Sequence, residues 1–385
     1  MESPRHANVL AFLIPLGIAS HTVLAGSRVS VSLAALAQGA SALTVGVLMA
    51  LYALLPMLSA VATGRWLDRI GVRVPMLAAA IGLALGVALP LFSPGLGALY
   101  ASATIVGMAF MVYQLAAQRA TGDIGAPEDR ARNFSLLALG YSVSGFIGPL
   151  VAGFSIDHYG YRAPFVVLTA IAALSAVVLA VDRFPLPAAR RAPAAAHRGG
   201  VRALLAHRTV RRVLMINVLL SVGWDLHTVF VPIYGARIGL AASQIGMVLA
   251  AFATATFLVR LAMPAIARRV TEHQVLTAAL FVAGAVYLVF PFSHSALTLG
   301  ALSFCLGLGL GSGQPMVMSL LHEHTPAGRT GEAVGVRMSL VQTSSVVVPL
   351  LFGAIGASLG LAPVFWSVGV CLTAGGWLAR RGRPG

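Results

Sequence analysis

One carboxylate in this 385-residue chain lies near the middle of a long apolar run: Asp225, in Val222-Gly223-Trp224-Asp225-Leu226-His227. A charged group at the centre of a bilayer span costs about 3 kcal/mol on insertion scales, so it is retained for a reason. The chemistry open to it is uptake and release of a proton, or pairing with a cation. Arg28 supplies a cation inside another apolar run, about 9 Å from the midpoint of 9–35 at 1.5 Å per residue. His21 and His227 add two imidazoles that can share a proton or contact a solute near neutral pH. The chain carries two cysteines, Cys305 and Cys371, both inside apolar runs, which reads as packing rather than a disulfide or metal site.

These groups need elements to hold them, and the composition says which kind. Hydrophobic residues make up 58% and charged residues 10%, against roughly 25% charge in soluble domains. A bilayer core needs about 20 apolar residues per helix. Twelve such runs occur, at 9–35, 42–64, 74–93, 97–119, 133–156, 163–182, 211–235, 243–266, 273–292, 296–320, 333–358 and 362–379. The first is too long for a secretory h-region and is read as a retained helix. The expected fold is an all-α membrane protein of twelve transmembrane helices.

The chain also repeats itself. Gly46, Ala50, Tyr52 and Ala53 match Gly246, Ala250, Phe252 and Ala253; Gly107 and Gln114 match Gly307 and Gln314. Pro127, Arg130, Pro149 and Pro164 match Pro326, Arg329, Pro349 and Pro363, all at one offset of 199 or 200. Two copies of one membrane unit fused head to tail are a common transporter plan. This predicts two pseudo-symmetric six-helix bundles, 1–182 and 211–385, joined by a cytoplasmic linker at 183–210 rich in Pro, Ala and Arg.

All 26 basic residues are arginine, and nearly all fall in one alternate set of loops: Arg65, Arg69, Arg73, Arg130, Arg132, the linker arginines, Arg268, Arg269, Arg329 and Arg380 among them. Arg119, Arg260 and Arg337 are read as helix ends on that same side, while Arg162 and Arg237 lie opposite. The asymmetry predicts both termini in the cytoplasm. It also accounts for the net charge of +15 as a topology signal able to meet anionic lipid, without a nucleic-acid partner.

Between the second and third runs stands Gly64-Arg65-Trp66-Leu67-Asp68-Arg69-Ile70-Gly71-Val72-Arg73. This G-x-x-x-D-R-x-G-x-R loop, with the twelve-span repeat, resembles the signature of the major facilitator superfamily across essentially the whole chain. Gly64 and Gly71 would allow a tight turn and close helix approach. The resemblance implies a cytoplasmic latch, with Asp68 docking near the start of the eleventh helix around Glu332 to Arg337. The second copy has Arg268 and Arg269 in place of Asp68 and Arg69, so the halves should not latch equally. The fifth run carries Gly145, Gly148-Pro149 and Gly153, similar to the Gly-Pro motif of the family's antiporters, except that the strict pattern wants glycine at Ser144 and Ala152. It favours export; ordinary helix packing is the alternative. The family's fourth-helix arginine is absent, with Ala103 in its place.

The resemblance also sets the first and seventh helices across a cavity. It makes an Arg28–Asp225 pair plausible, with Asp225 as the proton-coupling carboxylate, or else as half of a structural ion pair. Gln114 and Gln314 fall on cavity-lining helices, where they hydrogen-bond a solute, each other, or backbone carbonyls. Tyr52, Tyr113, Tyr141, Trp224 and Gln342 are weaker cavity candidates, since aromatics also serve as packing. The glycine run 307–313 lies in an apolar span with no preceding strand, so helix packing is preferred to a phosphate loop. His322-Glu323-His324 lacks a third ligand, and no metal site is expected. No ATP-binding motif occurs, so a gradient must drive transport and no cofactor is expected. The expectation is thus a secondary transporter, not an enzyme. It exports a small organic or drug-like compound in exchange for protons, as a monomer in a bacterial cytoplasmic membrane. The alternative is proton-coupled uptake of a small, anionic metabolite.

Overall fold

A computed structural model describes residues 4–124, 130–181, 201–325 and 330–381; the side chains at 4–8, 61, 65, 68, 123, 130–132, 201–203, 330–332 and 381 lie outside that description. The described residues form helices and no strand: α1 (Pro4–Ala37), α2 (Ala42–Ile70), α3 (Arg73–Phe92), α4 (Leu96–Asp123), α5 (Arg130–Tyr159), α6 (Ala163–Val181), α7 (Val201–Ala206), α8 (Arg208–Arg237), α9 (Ala242–Ile266), α10 (Glu272–Val289), α11 (Ala296–His324), α12 (Thr330–Ser358) and α13 (Leu361–Arg381). All but α7 carry a span long and apolar enough to cross a membrane, twelve in total among the described residues. Helices are the expected answer in lipid, because each satisfies its own backbone polar groups.

Several helices run a turn or so past the apolar runs, and two of these differences change how the loops are read. The seventh span begins at Arg208, not at 211, and the short helix α7 occupies 201–206 of the expected linker; residues 183–200 lie outside the described residues. The second helix outlasts its apolar run: α2 continues through Gly64 to Ile70, leaving only 71–72 before α3. Apolar periodicity could not see this, because the last turns of α2 are polar yet still helical.

The repeat is visible in how helices stop. Gly39 and Gly239 take φ of 80° and 81° just past α1 and α8, and Gly160 and Gly360 take 82° and 86° just past α5 and α12. At the first pair, Ala40 N–H bonds the Ala35 carbonyl (3.0 Å) and Leu240 N–H bonds the Gly235 carbonyl (2.9 Å). This is the left-handed glycine cap that collects orphan carbonyls at a helix end.

Cα packing divides the chain into two units. Unit 1 holds α1, α2 from Leu51, α3 to α6 and the segment Ala241–Ala250; unit 2 holds Ser41–Ala50, α7, α8, α9 from Ala251, and α10 to α13. The segments 41–50 and 241–250 are themselves repeat partners. Within unit 1, α1 packs on α5, α6 and α4, and α3 on α4 and α6. Within unit 2, α8 packs on α12, α11 and α13, and α10 on α13 and α11. Each contact has its counterpart 200 residues on.

Lipid is as apolar as leucine, so close backbone approach and polar contacts, rather than the hydrophobic effect, must hold such helices together. The matched glycines provide the approach. A Cβ on Gly107 would overlap the Tyr52 carbonyl, and one on Gly307 the Phe252 carbonyl. Unit 1 fills its interior with Leu13, Met76, Tyr113 and neighbouring apolar side chains. Unit 2 instead stacks aromatics, Phe290 on Phe365 at 4.9 Å with Tyr234 edge-on to Phe365 at 5.5 Å. Cys305 and Cys371 are free thiols on exposed faces of α11 and α13, not the buried packing residues expected from their apolar context.

Candidate functional site

Asp225 sits in α8, 6% exposed. Two neighbouring serines of α12 reach its carboxylate: Ser344 Oγ donates to Oδ2 at 2.8 Å and Ser345 Oγ to Oδ1 at 3.0 Å. Hydrogen bonds from two donors compensate a carboxylate for lost water and favour its charged form. Two turns of α12 nearer its start lies a second polar contact, Arg337 Nη1 to Asn217 Oδ1 at 3.4 Å. Tyr287 Oη of α10 donates to the Gly223 carbonyl at 2.5 Å, two residues before Asp225.

One side of α8 presents Trp224 to α9. Its ring meets Phe252 edge-on at 4.8 Å, and the Arg260 guanidinium lies 6.0 Å from its centroid. Arg260 Nη2 also donates to Gln314 Oε1 of α11 at 3.2 Å. The sequence reading placed Arg260 at a helix end; it lies six residues inside α9, whose last residue is Ile266. Two turns of apolar helix beyond it were the available signal. His227 points elsewhere: fully buried, Nε2 bonded to Ser303 Oγ at 3.0 Å and ring stacked on Phe252 at 4.1 Å.

Unit 1 assembles a different set. His21 Nδ1 lies 2.7 Å from Ser144 Oγ, and its ring stacks on Tyr141 at 5.0 Å and meets Phe110 edge-on at 5.4 Å. Arg28 lies over the Tyr52 ring at 5.6 Å, and Tyr52 Oη donates to Ser27 Oγ at 3.2 Å. Tyr113 is fully buried in the packed interior of this unit, and Gln114 and Gln342 are half-buried on α4 and α12. The expected helix-five motif is closely packed. A Cβ on Gly148 would press on Ala25 and the Gly26 amide of α1 at 2.8 Å, and one on Gly153 would overlap the Ala242 carbonyl at the start of α9. The Pro149 carbonyl faces Gly246 of α9, while Gly145 is half-buried in α5.

The expected latch is partly legible. Gly71 has φ of 80° and makes the turn between α2 and α3. Gly64 does not serve close approach: it lies within α2, and a Cβ there would meet nothing within 4 Å. Arg69 is exposed and Arg73, the first residue of α3, is half-buried. The Asp68 side chain lies outside the described residues, as does that of Glu332 at one end of its expected docking region; Arg337 at the other end is bonded to Asn217.

The sequence profile of the Major Facilitator Superfamily matches residues 8–342 and again 213–384. The chain belongs to this superfamily. The major facilitator reading agrees with twelve spans in two repeats, and makes the protein a membrane transporter rather than an enzyme. This transporter is 28% identical over 343 residues to the class C tetracycline resistance protein of Escherichia coli, covering 85% of this chain and 84% of that one. It is 26% identical over 245 residues to the multidrug resistance protein MdtG of Escherichia fergusonii, covering 61% of this chain and 60% of that protein. Its fold matches a crystal structure of a bacterial homologue of the human lysosomal transporter Spinster, with TM-score 0.78 at 15% identity over 99% of this chain and 98% of that one. A crystal structure of a POT family transporter matches with TM-score 0.80 at 12% identity, covering 97% and 96%.

Proposed function

We propose that this transporter exports small organic, drug-like compounds by alternating access, each cycle driven by inward movement of protons. In this reading it is a monomer in the lipid of a bacterial cytoplasmic membrane, with both termini cytoplasmic. Residues 1–182 and 211–385 form the two bundles that rock, and 183–210 links them. The observation that carries the reading is Asp225: a buried carboxylate within a span, held by two hydroxyls from a neighbouring helix. A group held this way can be ionised without water and neutralised by one proton, and the two states pack differently against α12. Arg28 is its proposed partner during the cycle, with His21 as a second proton-bearing group. The names of the relatives, tetracycline resistance and multidrug resistance proteins, support export of drug-like solutes.

Uptake of an anionic metabolite is the second reading. It is favoured by two guanidinium groups within spans, Arg28 over Tyr52 and Arg260 over Trp224. Expression in a drug-susceptible bacterium decides between them. Export raises the inhibitory concentration of tetracycline or another tested drug, whereas uptake leaves it unchanged or lowers it. In inverted vesicles with an imposed pH gradient, Asp225→Asn is expected to abolish uphill accumulation while drug-binding quench of tryptophan fluorescence persists. Full uphill transport by Asp225→Asn would remove this residue from coupling.

A further inference from the structure

In each unit, a titratable group on the first helix faces a serine of the fifth helix at the same repeat position. Ser144 of α5 meets His21 of α1; Ser344 of α12 meets Asp225 of α8. Ser344 lies 200 residues after Ser144, and both serines are buried. In the same register Asp225 corresponds to position 25, four residues and so one helical turn from His21. Each unit therefore places a serine at the same position of its fifth helix against an ionisable group of its first, and unit 2 adds Ser345 beside it. This also accounts for the departure from the antiporter motif, which wants glycine at 144: a glycine there has no hydroxyl to offer His21.

We propose that Ser144 and Ser344 are positioning residues for the proton-carrying groups, resting on the coupling reading above, and that they set opposite polarities. Ser144 Oγ lies 2.9 Å from the Tyr141 carbonyl and 3.3 Å from that of Gly140, so its single proton goes to the backbone. Its lone pair then accepts from His21 Nδ1–H, which fixes the neutral tautomer and puts the basic lone pair on Nε2. Ser344 faces an acceptor-only carboxylate and must donate, as must Ser345 beside it. One serine prepares a base; the other, with its neighbour, steadies an anion.

Other charged or titratable groups lie on the packed elements among the described residues. Around Asp225 they are Tyr287 on α10, bonded to Gly223; Arg337 on α12, bonded to Asn217; Arg260 on α9, on Trp224; and His227 on α8 itself, bonded to Ser303. Around His21 they are Tyr141 on α5, Tyr113 on α4, and Arg28 on α1 with Tyr52 of α2. None of these contacts is made through Ser144 or Ser344, so a serine variant isolates the hydroxyl.

The test uses the purified full-length protein without drug. Dicyclohexylcarbodiimide reacts with a protonated carboxyl, so labelling of the Asp225 peptide against pH, read by mass spectrometry, gives that group's midpoint. Removing both donors in Ser344→Ala/Ser345→Ala is expected to move it to higher pH by about one unit, because donors favour the ionised form. Ser344→Thr/Ser345→Thr, which keeps both hydroxyls, should return it. Diethylpyrocarbonate reacts with the neutral imidazole, and Ser144→Ala is expected to change the pH midpoint or the rate of His21 modification at least several-fold, again with recovery in Ser144→Thr. Midpoints and rates identical to the unsubstituted protein would overturn the positioning role. The coupling reading is judged separately, in vesicles with tetracycline as the probe. Shifted midpoints with an unmoved pH profile of transport would uphold the positioning role and sink the coupling reading.

Discussion

Arg260 shows what a single side chain can hide from a sequence. Read at a helix end, it serves the positive-inside pattern; placed in α9, it is a guanidinium held by an indole face and an amide oxygen. A flat, weakly hydrated cation can lose water to an aromatic face at modest cost, which an ammonium does less well. Trp224 and Gln314 were legible as polar residues in spans, but not that one cation links them, because the link joins three helices far apart in sequence. A double-mutant cycle of Arg260→Gln and Trp224→Leu, measured by unfolding in bicelles, should show a coupling of about 1 kcal/mol. Strictly additive losses would mean that the guanidinium gains nothing from the ring.

At the scale of elements, repeat register carried most of the information. It paired Gly107 with Gly307 and Tyr52 with Phe252, and in the structure Gly107 on Tyr52 and Gly307 on Phe252 are one contact made twice. It could not anticipate where the copies diverge, because divergence rests on single polar residues. Ser41 caps α2, its Oγ accepting from Thr44 N–H at 3.1 Å. The partner position before α9 is Ala241, which has no side-chain oxygen to give. Asp157, near the end of α5, supplies it: Oδ1 accepts from Ala242 N–H at 3.0 Å and Oδ2 from Ser243 N–H at 2.8 Å. The same helix start that is capped from within in one copy is capped by another helix in the other. Losing a cap costs about 1 kcal/mol, so Asp157→Ala should lower thermal stability by a few degrees. Adding Ala241→Ser, which restores the internal cap of the first copy, should recover part of it. Recovery by Ala241→Ser of nothing at all would show that Asp157 acts other than as a cap.

At the scale of the whole molecule, the number of crossings and their direction come from different physics. Span count follows from apolar length and agrees with the twelve spans seen among the described residues. Direction rests on charge alone, because the two repeats have the same apolar pattern and would cross equally well inverted. The arginines on one alternate set of loops therefore determine the outcome, and labelling tests it directly. With Cys305 and Cys371 replaced by serine, a membrane-impermeant maleimide applied to whole cells should label Ser93→Cys and His294→Cys, at the α3–α4 and α10–α11 connections, and spare His207→Cys beside α7 until the membrane is opened. The reverse pattern would place the arginine-rich loops outside. Mixed labelling of Ser93→Cys and His294→Cys would be more damaging, since six spans separate the two connections and an even number must return the chain to the same side. Agreement between them ties the charge signal to the repeat, because one arginine asymmetry then orients both copies.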